Sequence, residues 1–116
     1  MRIKIRIADK EFSLFIRNRD NWICRRCLTT YPKGSQGLHN SHFWGRGREN
    51  TRFDPENCDA LCFGCHQYFG SNPAEYNEWK LKQLGEKKFN NLKIRAHTLT
   101  KKDDNKILLW LKQLEN

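Results

Sequence analysis

Residues 57–66 read NCDALCFGCH and contain a C-x-x-C pair that is followed directly by a histidine. A second C-x-x-C pair lies upstream, and four thiols at this spacing suit one tetrahedral zinc site of the closed, structural kind. The 34 residues between the pairs exceed the ~15–20 of a simple zinc ribbon, so we expect further structure inside this loop. The predicted zinc ligands are Cys24, Cys27, Cys62 and Cys65.

The composition indicates a small, basic protein. The 116 residues fit one domain, 1–116, and the net charge of +9 favours a polyanionic partner, nucleic acid before membrane. No apolar run approaches the ~18 residues of a membrane span, and the N-terminus has no signal-peptide hydrophobic region. Paired C-x-x-C motifs with an odd fifth cysteine argue for metal binding in a reducing compartment, and we expect a cytoplasmic protein.

Three further residues near the cysteine pairs have expected structural roles. The spare cysteine, Cys58, is expected to be a small buried hydrophobe. Arg25 and Arg26 lie inside the first pair, and at least one of them should offset the negative charge of four thiolates.

Inside the zinc loop, residues 38–43 (LHNSHF) form a predicted strand, with Asn40 and His42 on one face and His39 and Ser41 on the other. The next segment, WGRGR, has glycines that allow close approach to a ligand and arginines that could clamp phosphates. A solvated flexible loop is the alternative for this segment. The arginines predicted to contact DNA are Arg46, Arg48 and Arg52.

The remaining predictions before the second cysteine pair concern local structure. Alternating charged residues and isoleucines predict a strand over residues 2–7, and Asp9 could cap the helix that follows. We expect a turn fixed by an Arg52–Asp54 contact, followed by a second strand over residues 57–61.

The C-terminal part of the chain predicts three helices. Asn72, Pro73 and Glu75 suit the N-cap, N1 and N3 positions of a helix that ends at Gly85, and residues 86–96 form another. A second capping box begins the last helix. Its apolar stripe is expected to be core packing, with self-association as the alternative, and comprises Ile107, Leu108, Trp110, Leu111 and Leu114.

The order His42, Asn57, His66, enclosed by two C-x-x-C pairs, resembles an HNH (ββα-metal) endonuclease. Within that group the match, over roughly residues 12–95, is similar to the phage NinG/Rap recombination nucleases. The segments that carry this closer likeness are Ser41-His42-Phe43, Thr51-Arg52-Phe53-Asp54, Asn57, the second C-x-x-C pair, Gly70-Ser71-Asn72, Tyr76 and Gly85.

The resemblance implies an α+β fold. Its centre would be a small zinc-stapled ββα-metal (HNH) core over about residues 22–70. An N-terminal strand and helix would precede this core, and a C-terminal helical extension would cover about residues 72–116.

The resemblance also implies roles for individual residues. His42 would be the general base and His66 would bind one catalytic Mg²⁺ or Mn²⁺. In this family the residue before the base is often an acidic or histidine metal ligand, but here it is Ser41, so the second metal ligand would be His39, or Ser41 directly or through water. Asn57 would either bind this metal or hold the loop after the first strand by hydrogen bonds.

The implied function is metal-dependent hydrolysis of DNA phosphodiester bonds in phage or prophage recombination or processing, with branched DNA among the substrates. Symmetric cutting of a junction would favour a homodimer, and phage recombination or packaging proteins are the further partners expected. Two alternatives remain open at this point. One is a non-catalytic zinc-ribbon DNA-binding module, and the other is a packaging-associated phage HNH nicking enzyme with the same site.

Overall fold

The computed structural model describes residues 3–114, which form six α-helices and one two-stranded sheet. The helices are α1 (Ile7–Arg19), α2 (Glu49–Arg52), α3 (Phe63–Ser71), α4 (Pro73–Leu84), α5 (Glu86–Ala96) and α6 (Asp104–Leu114), and the strands are β1 (Leu38–His42) and β2 (Cys58–Cys62). The α+β class is therefore confirmed. None of the helices in this part of the chain combines the length and apolar character that a membrane crossing requires.

β1 and β2 pair in antiparallel fashion, with Leu38 opposite Cys62 and His42 opposite Cys58. α3 begins at the residue after β2, so Cys62 ends the strand and caps the helix. Its thiol accepts a bond from the backbone N–H of Cys65 at 3.4 Å. The order β1–β2–α3 thus brings the first turns of α3 beside the side chains of β1.

The predicted N-terminal strand is wrong where the structure describes it. Residues 3–6 form no strand, and α1 begins at Ile7 instead of after Asp9. The reason is that the Asp9 carboxylate, in the first turn, accepts a bond from the backbone N–H of Arg6 at 2.7 Å and so fixes the start of the helix. The three isoleucines stay 45–71% exposed, so their alternation does not mark a buried face. The first residue of the predicted strand lies outside the described residues.

One cluster of buried side chains packs on the cysteine pairs. Trp22 is 6% exposed in this cluster and contacts the zinc-loop cysteines, as the sequence predicts. Phe69 of α3 stacks on Tyr76 of α4 with ring centroids 4.4 Å apart. This stacking joins the start of the C-terminal helices to the sheet and the cysteines.

A second cluster joins α1 to α6. The Trp110 ring lies 6.4 Å from Phe12 and 6.0 Å from Phe15, and Leu111 is 4% exposed. The predicted core packing of the last helix is confirmed for these side chains. Leu114, at the end of the stripe, is 47% exposed.

The helices after the sheet follow the sequence signals closely. Gly85 separates α4 from α5 with a φ of +83°, a conformation that favours glycine, and α5 has the predicted bounds. α4 begins with Pro73, as predicted, but the Asn72 side chain does not cap it. That amide instead donates to the Tyr68 carbonyl at 2.8 Å.

α4 is held to β2 by a buried ion pair. Lys80 Nζ donates to Asp59 Oδ2 at 2.7 Å, and both side chains are 1% exposed. Gln83 contributes its carbonyl to Lys80 at 2.8 Å and its amide to Asp59 at 2.5 Å. Each charge therefore has a partner, which burial of an ionised side chain requires.

We expect Lys80→Ala to destabilise the protein by about 3 kcal/mol, because it leaves the Asp59 carboxylate buried without its cation. Urea unfolding of the zinc-loaded protein, followed by tryptophan fluorescence, measures the change. The control is Lys82→Ala, an exposed lysine of the same helix, which should shift the midpoint little. A Lys80→Ala protein as stable as this control would contradict the role of the pair.

Candidate metal centre and histidine site

Four cysteine thiols come together at the base of the sheet. Their sulfur atoms lie within 4.8 Å of one another, close enough to bind one metal ion. Two come from the turn between Ile23 and Thr30, which form an isolated bridge, and two come from the junction of β2 and α3. The cluster comprises Cys24, Cys27, Cys62 and Cys65, the four predicted ligands.

The surroundings of the thiols suit a zinc site. Arg26 Nη1 lies 3.4 Å from the Cys65 sulfur and supplies the positive charge expected there. Contacts with the Thr29 hydroxyl and backbone lower the pKa of Cys27 to about 6, which favours the thiolate. Burial raises the pKa of Cys65 to about 12 in the metal-free chain, so zinc binding would release this proton.

Cys58 stands apart from this cluster. It is fully buried in the α1–α6 core, and burial raises the pKa of its thiol well above the ordinary value. It therefore packs as a small hydrophobe, which confirms the prediction made for it.

A second pair of metal-binding side chains lies where β1 meets α3. His39 Nδ1 and His66 Nδ1 are 3.1 Å apart, and both rings line an open cleft of about 340 Å³ with the exposed Phe63. Adjacent ligands on one octahedral ion with ~2.1 Å bonds lie about 3.0 Å apart, so the two nitrogens fit a divalent metal. The same distance suits an N–H···N bond in the metal-free protein. Burial, His39 and Arg46 lower the pKa of His66, which favours the neutral, ligating form.

His42 lies on the opposite face of β1 and has a defined tautomer. Its Nε2 is 2.9 Å from the carbonyl oxygen of Arg52. A carbonyl only accepts, so Nε2 carries the proton and Nδ1 keeps its lone pair. Burial against α1, where the Phe12 ring centroid is 6.5 Å away, lowers the pKa of His42 to about 4. The ring is therefore neutral at pH 7.

Arg46 connects the two histidine environments. Burial is the main cause of the lowered pKa of both His42 and His66, and the charge of the Arg46 guanidinium lowers both further. Arg48 is exposed, and its guanidinium lies over the Trp44 ring at 5.2 Å. Both arginines remain candidates for phosphate contact.

Arg52, the third predicted DNA contact, is only 3% exposed. It is therefore too buried to contact DNA, and the prediction for this residue is wrong. Its guanidinium forms two bonds with the Asp9 carboxylate, at 2.9 and 2.6 Å, and donates to the Lys4 carbonyl at 2.8 Å. The expected Arg52–Asp54 contact is absent from the described residues, because Asp54 instead accepts from Arg95 at 2.7 Å. Arg52 thus fixes the position of His42, because its side chain is held by Asp9 and its carbonyl binds the His42 ring.

The structure places Ser41, the alternative metal ligand, in the core. It is 1% exposed, and its hydroxyl is 2.8 Å from that of Tyr76 in the core beside the cysteine cluster. A buried hydroxyl with this partner is not available to an ion in the open cleft. Of the two alternatives predicted for the second ligand, His39 lines the open cleft and Ser41 does not.

Asn57 acts in the loop between the strands. Its side chain accepts from the Trp44 backbone N–H at 2.8 Å and donates to the carbonyls of Trp44 and Thr51 at 2.8 and 3.0 Å. These are the bonds of the loop-holding alternative, and they occupy both ends of the amide. Asn57 is fully buried, away from the open cleft.

Sequence reasoning missed three residues of this region. Phe63 is 59% exposed at the cleft, Asp9 fixes Arg52, and Tyr76 fixes Ser41. A signal existed only for Phe63, which lies between the second strand and His66. The other two partners are 35 or more residues away in sequence, where no spacing rule applies.

We expect the purified protein to hold about one zinc ion per chain. Cys62→Ser should lose this zinc and much of the cooperative unfolding transition, because Cys62 also ends β2 and caps α3. Cys58→Ala, the control cysteine, should keep the zinc. Metal content by mass spectrometry and unfolding by circular dichroism check both, and equal zinc loss in the two variants would contradict the site.

The pKa of His42 predicts how stability depends on pH. The folded pKa of about 4 lies below the ordinary 6.5, so the unfolded chain binds this proton first as the pH falls. Stability contributed by neutral His42 is present above pH 6.5 and is lost between pH 6.5 and 4, by about 1.4 kcal/mol per pH unit.

His42→Gln removes this titration and keeps an amide donor for the Arg52 carbonyl. Urea midpoints measured between pH 6.5 and 4.5 with excess zinc should fall less steeply for the variant than for the wild type. Parallel curves would show that His42 does not titrate in this range.

Comparison of the chain with protein-family models, with curated proteins and with solved structures found no match. The functional assignment therefore rests on the residues and geometry described above.

Proposed function

We propose that the protein is a metal-dependent DNA endonuclease of the HNH type, with a structural zinc ion at the four cysteines and one catalytic Mg²⁺ or Mn²⁺ at His39 and His66. The observation that carries this proposal is the contact between the two histidine nitrogens at 3.1 Å. It lies on a β1–β2–α3 unit whose last junction also holds two of the clustered cysteines. The resemblance of the sequence to HNH endonucleases supports the same assignment.

His42 is the proposed general base. The Arg52 carbonyl holds its Nε2–H, so Nδ1 is the atom that takes a proton from the attacking water. A pKa of about 4 keeps this nitrogen unprotonated at pH 7 but makes it a weak base. A phosphodiester bound beside the ring adds negative charge and raises that pKa towards the working pH.

His39 and His66 would hold the catalytic ion. The ion that these two residues would hold would supply positive charge to offset that of the scissile phosphate and of the leaving oxygen. Two imidazole ligands shift the metal preference from Mg²⁺ towards Mn²⁺. Their rings present the nitrogens to an open cleft, so water and phosphate oxygens could complete the coordination.

The substrate class is supported by charge. The chain has a net charge of +9, and Arg46 lies within electrostatic reach of both His42 and His66. Together with Arg48 it would contact backbone phosphates on either side of the cut. A role in phage recombination, branched DNA as substrate and a homodimeric state rest on the resemblance alone.

The second candidate is a non-catalytic zinc-stabilised DNA-binding module. One observation favours it, because no acidic side chain is among the described residues that line the His39–His66 cleft. A catalytic site for Mg²⁺ commonly includes carboxylates. A packaging-associated nicking enzyme is a third form of the proposal, with the same site and a different partner.

The test is cleavage of three DNAs by the zinc-loaded protein, namely supercoiled plasmid, linear duplex and a four-way junction, with Mn²⁺ and with Mg²⁺. His42→Ala should lower the rate by about 10²–10⁴-fold, the usual contribution of a general base. The matched control is His97→Ala, an exposed histidine at the end of α5, which should cleave like the wild type.

Each outcome of this experiment tests a different part of the proposal. Junction-selective cutting that is lost in His42→Ala supports both the mechanism and the recombination role. Equal cutting of all three DNAs keeps the nuclease and removes the junction specificity. Equal activity of wild type and His42→Ala removes His42 as the base, and binding without any cutting favours the DNA-binding module.

A further inference from the structure

Two surface clefts meet at Arg46. One, of about 590 Å³, is lined by Arg46 together with Lys4 and Lys102. The other, of about 340 Å³, lies along α1 and is lined by Arg46 together with Lys10 and Arg17. The N-terminal segment, α1 and the segment before α6 thus place basic side chains on both sides of one arginine.

The cations in these clefts fall into two groups. Arg6 is held by Glu49 and Asp104, and Arg52 by Asp9, so both are neutralised within the fold. The second group forms no ion pair with any carboxylate of residues 3–114 and comprises Lys4, Lys10, Arg17, Arg46 and Lys102. The clefts therefore carry uncompensated positive charge, which attracts anions.

Arg46 carries a second, independent sign of a missing partner. Its Nε is buried and has no hydrogen-bond partner among the described residues. A buried N–H without a partner costs free energy. Asp9 is within electrostatic reach of Arg46, but its two oxygens are engaged by Arg52. The fold therefore leaves part of the hydrogen-bonding capacity of the Arg46 guanidinium unused.

The position of the clefts relates them to His42. The Arg52 guanidinium donates to the Arg46 carbonyl at 3.3 Å, and the Arg52 carbonyl is 2.9 Å from His42 Nε2. The junction of the clefts therefore lies next to the residue that holds the proposed general base. A polyanion that follows both clefts would pass Arg46, and one of its phosphates would lie near His42.

We propose that the two clefts form a track for the backbone of the DNA strand to be cut. Lys4 and Lys102 contact phosphates on one side of the scissile phosphate, Lys10 contacts them on the other, and Arg46 lies between. The identity of the central phosphate rests on the proposed nuclease function, whereas the binding track does not. Backbone contacts of this kind position a strand without reading its sequence.

DNA binding without added divalent ion tests the track. Anisotropy of a labelled 30-base-pair duplex is measured from about 50 to 200 mM salt, with zinc retained. Because each phosphate contact contributes ~0.9 to the slope of log affinity against log salt, Lys4→Ala/Lys102→Ala should reduce the slope by about 1.8 and lower affinity at least tenfold at low salt. Lys10→Ala should reduce the slope by about 0.9.

The matched control removes the same charge elsewhere. Lys87→Ala/Lys93→Ala, on α5, replaces two exposed lysines that line neither cleft. This pair should change the slope by less than half as much. Equal effects of the two double variants would show that DNA responds to a diffuse positive field, and this result would overturn the track. The absence of any effect in either double variant would also overturn it.

The same variants separate the track from the nuclease function. A selective loss of binding in a protein that cleaves no DNA keeps the track and overturns the nuclease. Cleavage by the wild type without a selective loss of binding keeps the nuclease and overturns the track. Duplex RNA and vesicles with anionic lipid are run in parallel, and a selective loss seen only for one of these assigns the clefts to another polyanion and overturns the DNA proposal.

Discussion

The sheet and the helix that follows it meet the first cysteine pair at a cluster of four sulfur atoms, which lie within 4.8 Å of one another and could bind one metal ion. Each strand has only five residues, and a two-stranded hairpin is marginally stable alone in water. The buried side chains also form two separate clusters instead of one large core. A metal at the cysteines would close a loop of more than thirty residues and fix the junction of β2 and α3, on which the position of His66 depends.

Inside that loop, buried polar contacts hold the backbone in place. Asn57 joins both ends of the segment between the strands, and the Asp9–Arg52 pair fixes the residue whose carbonyl holds His42. On the other face of the hairpin, His39 and His66 contact each other through their Nδ1 atoms. The candidate centre thus lies between the cysteine cluster, which could hold a metal ion, and the ion pair of Arg52 with Asp9 of α1. This explains how so small a sheet could hold three histidines in defined positions.

The sequence allowed prediction of the features that depend on local chemistry. The cysteine spacing predicted the thiol cluster, Gly85 predicted the boundary between α4 and α5, and the apolar stripe predicted the packing of α6. The roles of Ser41 and Arg52 depended instead on distant partners, Tyr76 and Asp9, which no local pattern reveals. The prediction of an N-terminal strand was wrong because Asp9 binds the backbone N–H of Arg6 and starts α1 there, and the sheet within residues 3–114 pairs only β1 with β2.

We propose that one chain holds two metals with different tasks, and the His66→Ala variant distinguishes the two sites. Cleavage of plasmid DNA with Mn²⁺ and the zinc content are measured on the same preparation. We expect the variant to lose cleavage and to retain about one zinc ion per chain. Unchanged cleavage would remove His66 as a ligand of the catalytic ion. Loss of both cleavage and zinc would show that the cysteine cluster and the histidine site are a single metal-dependent unit, contrary to the division proposed here.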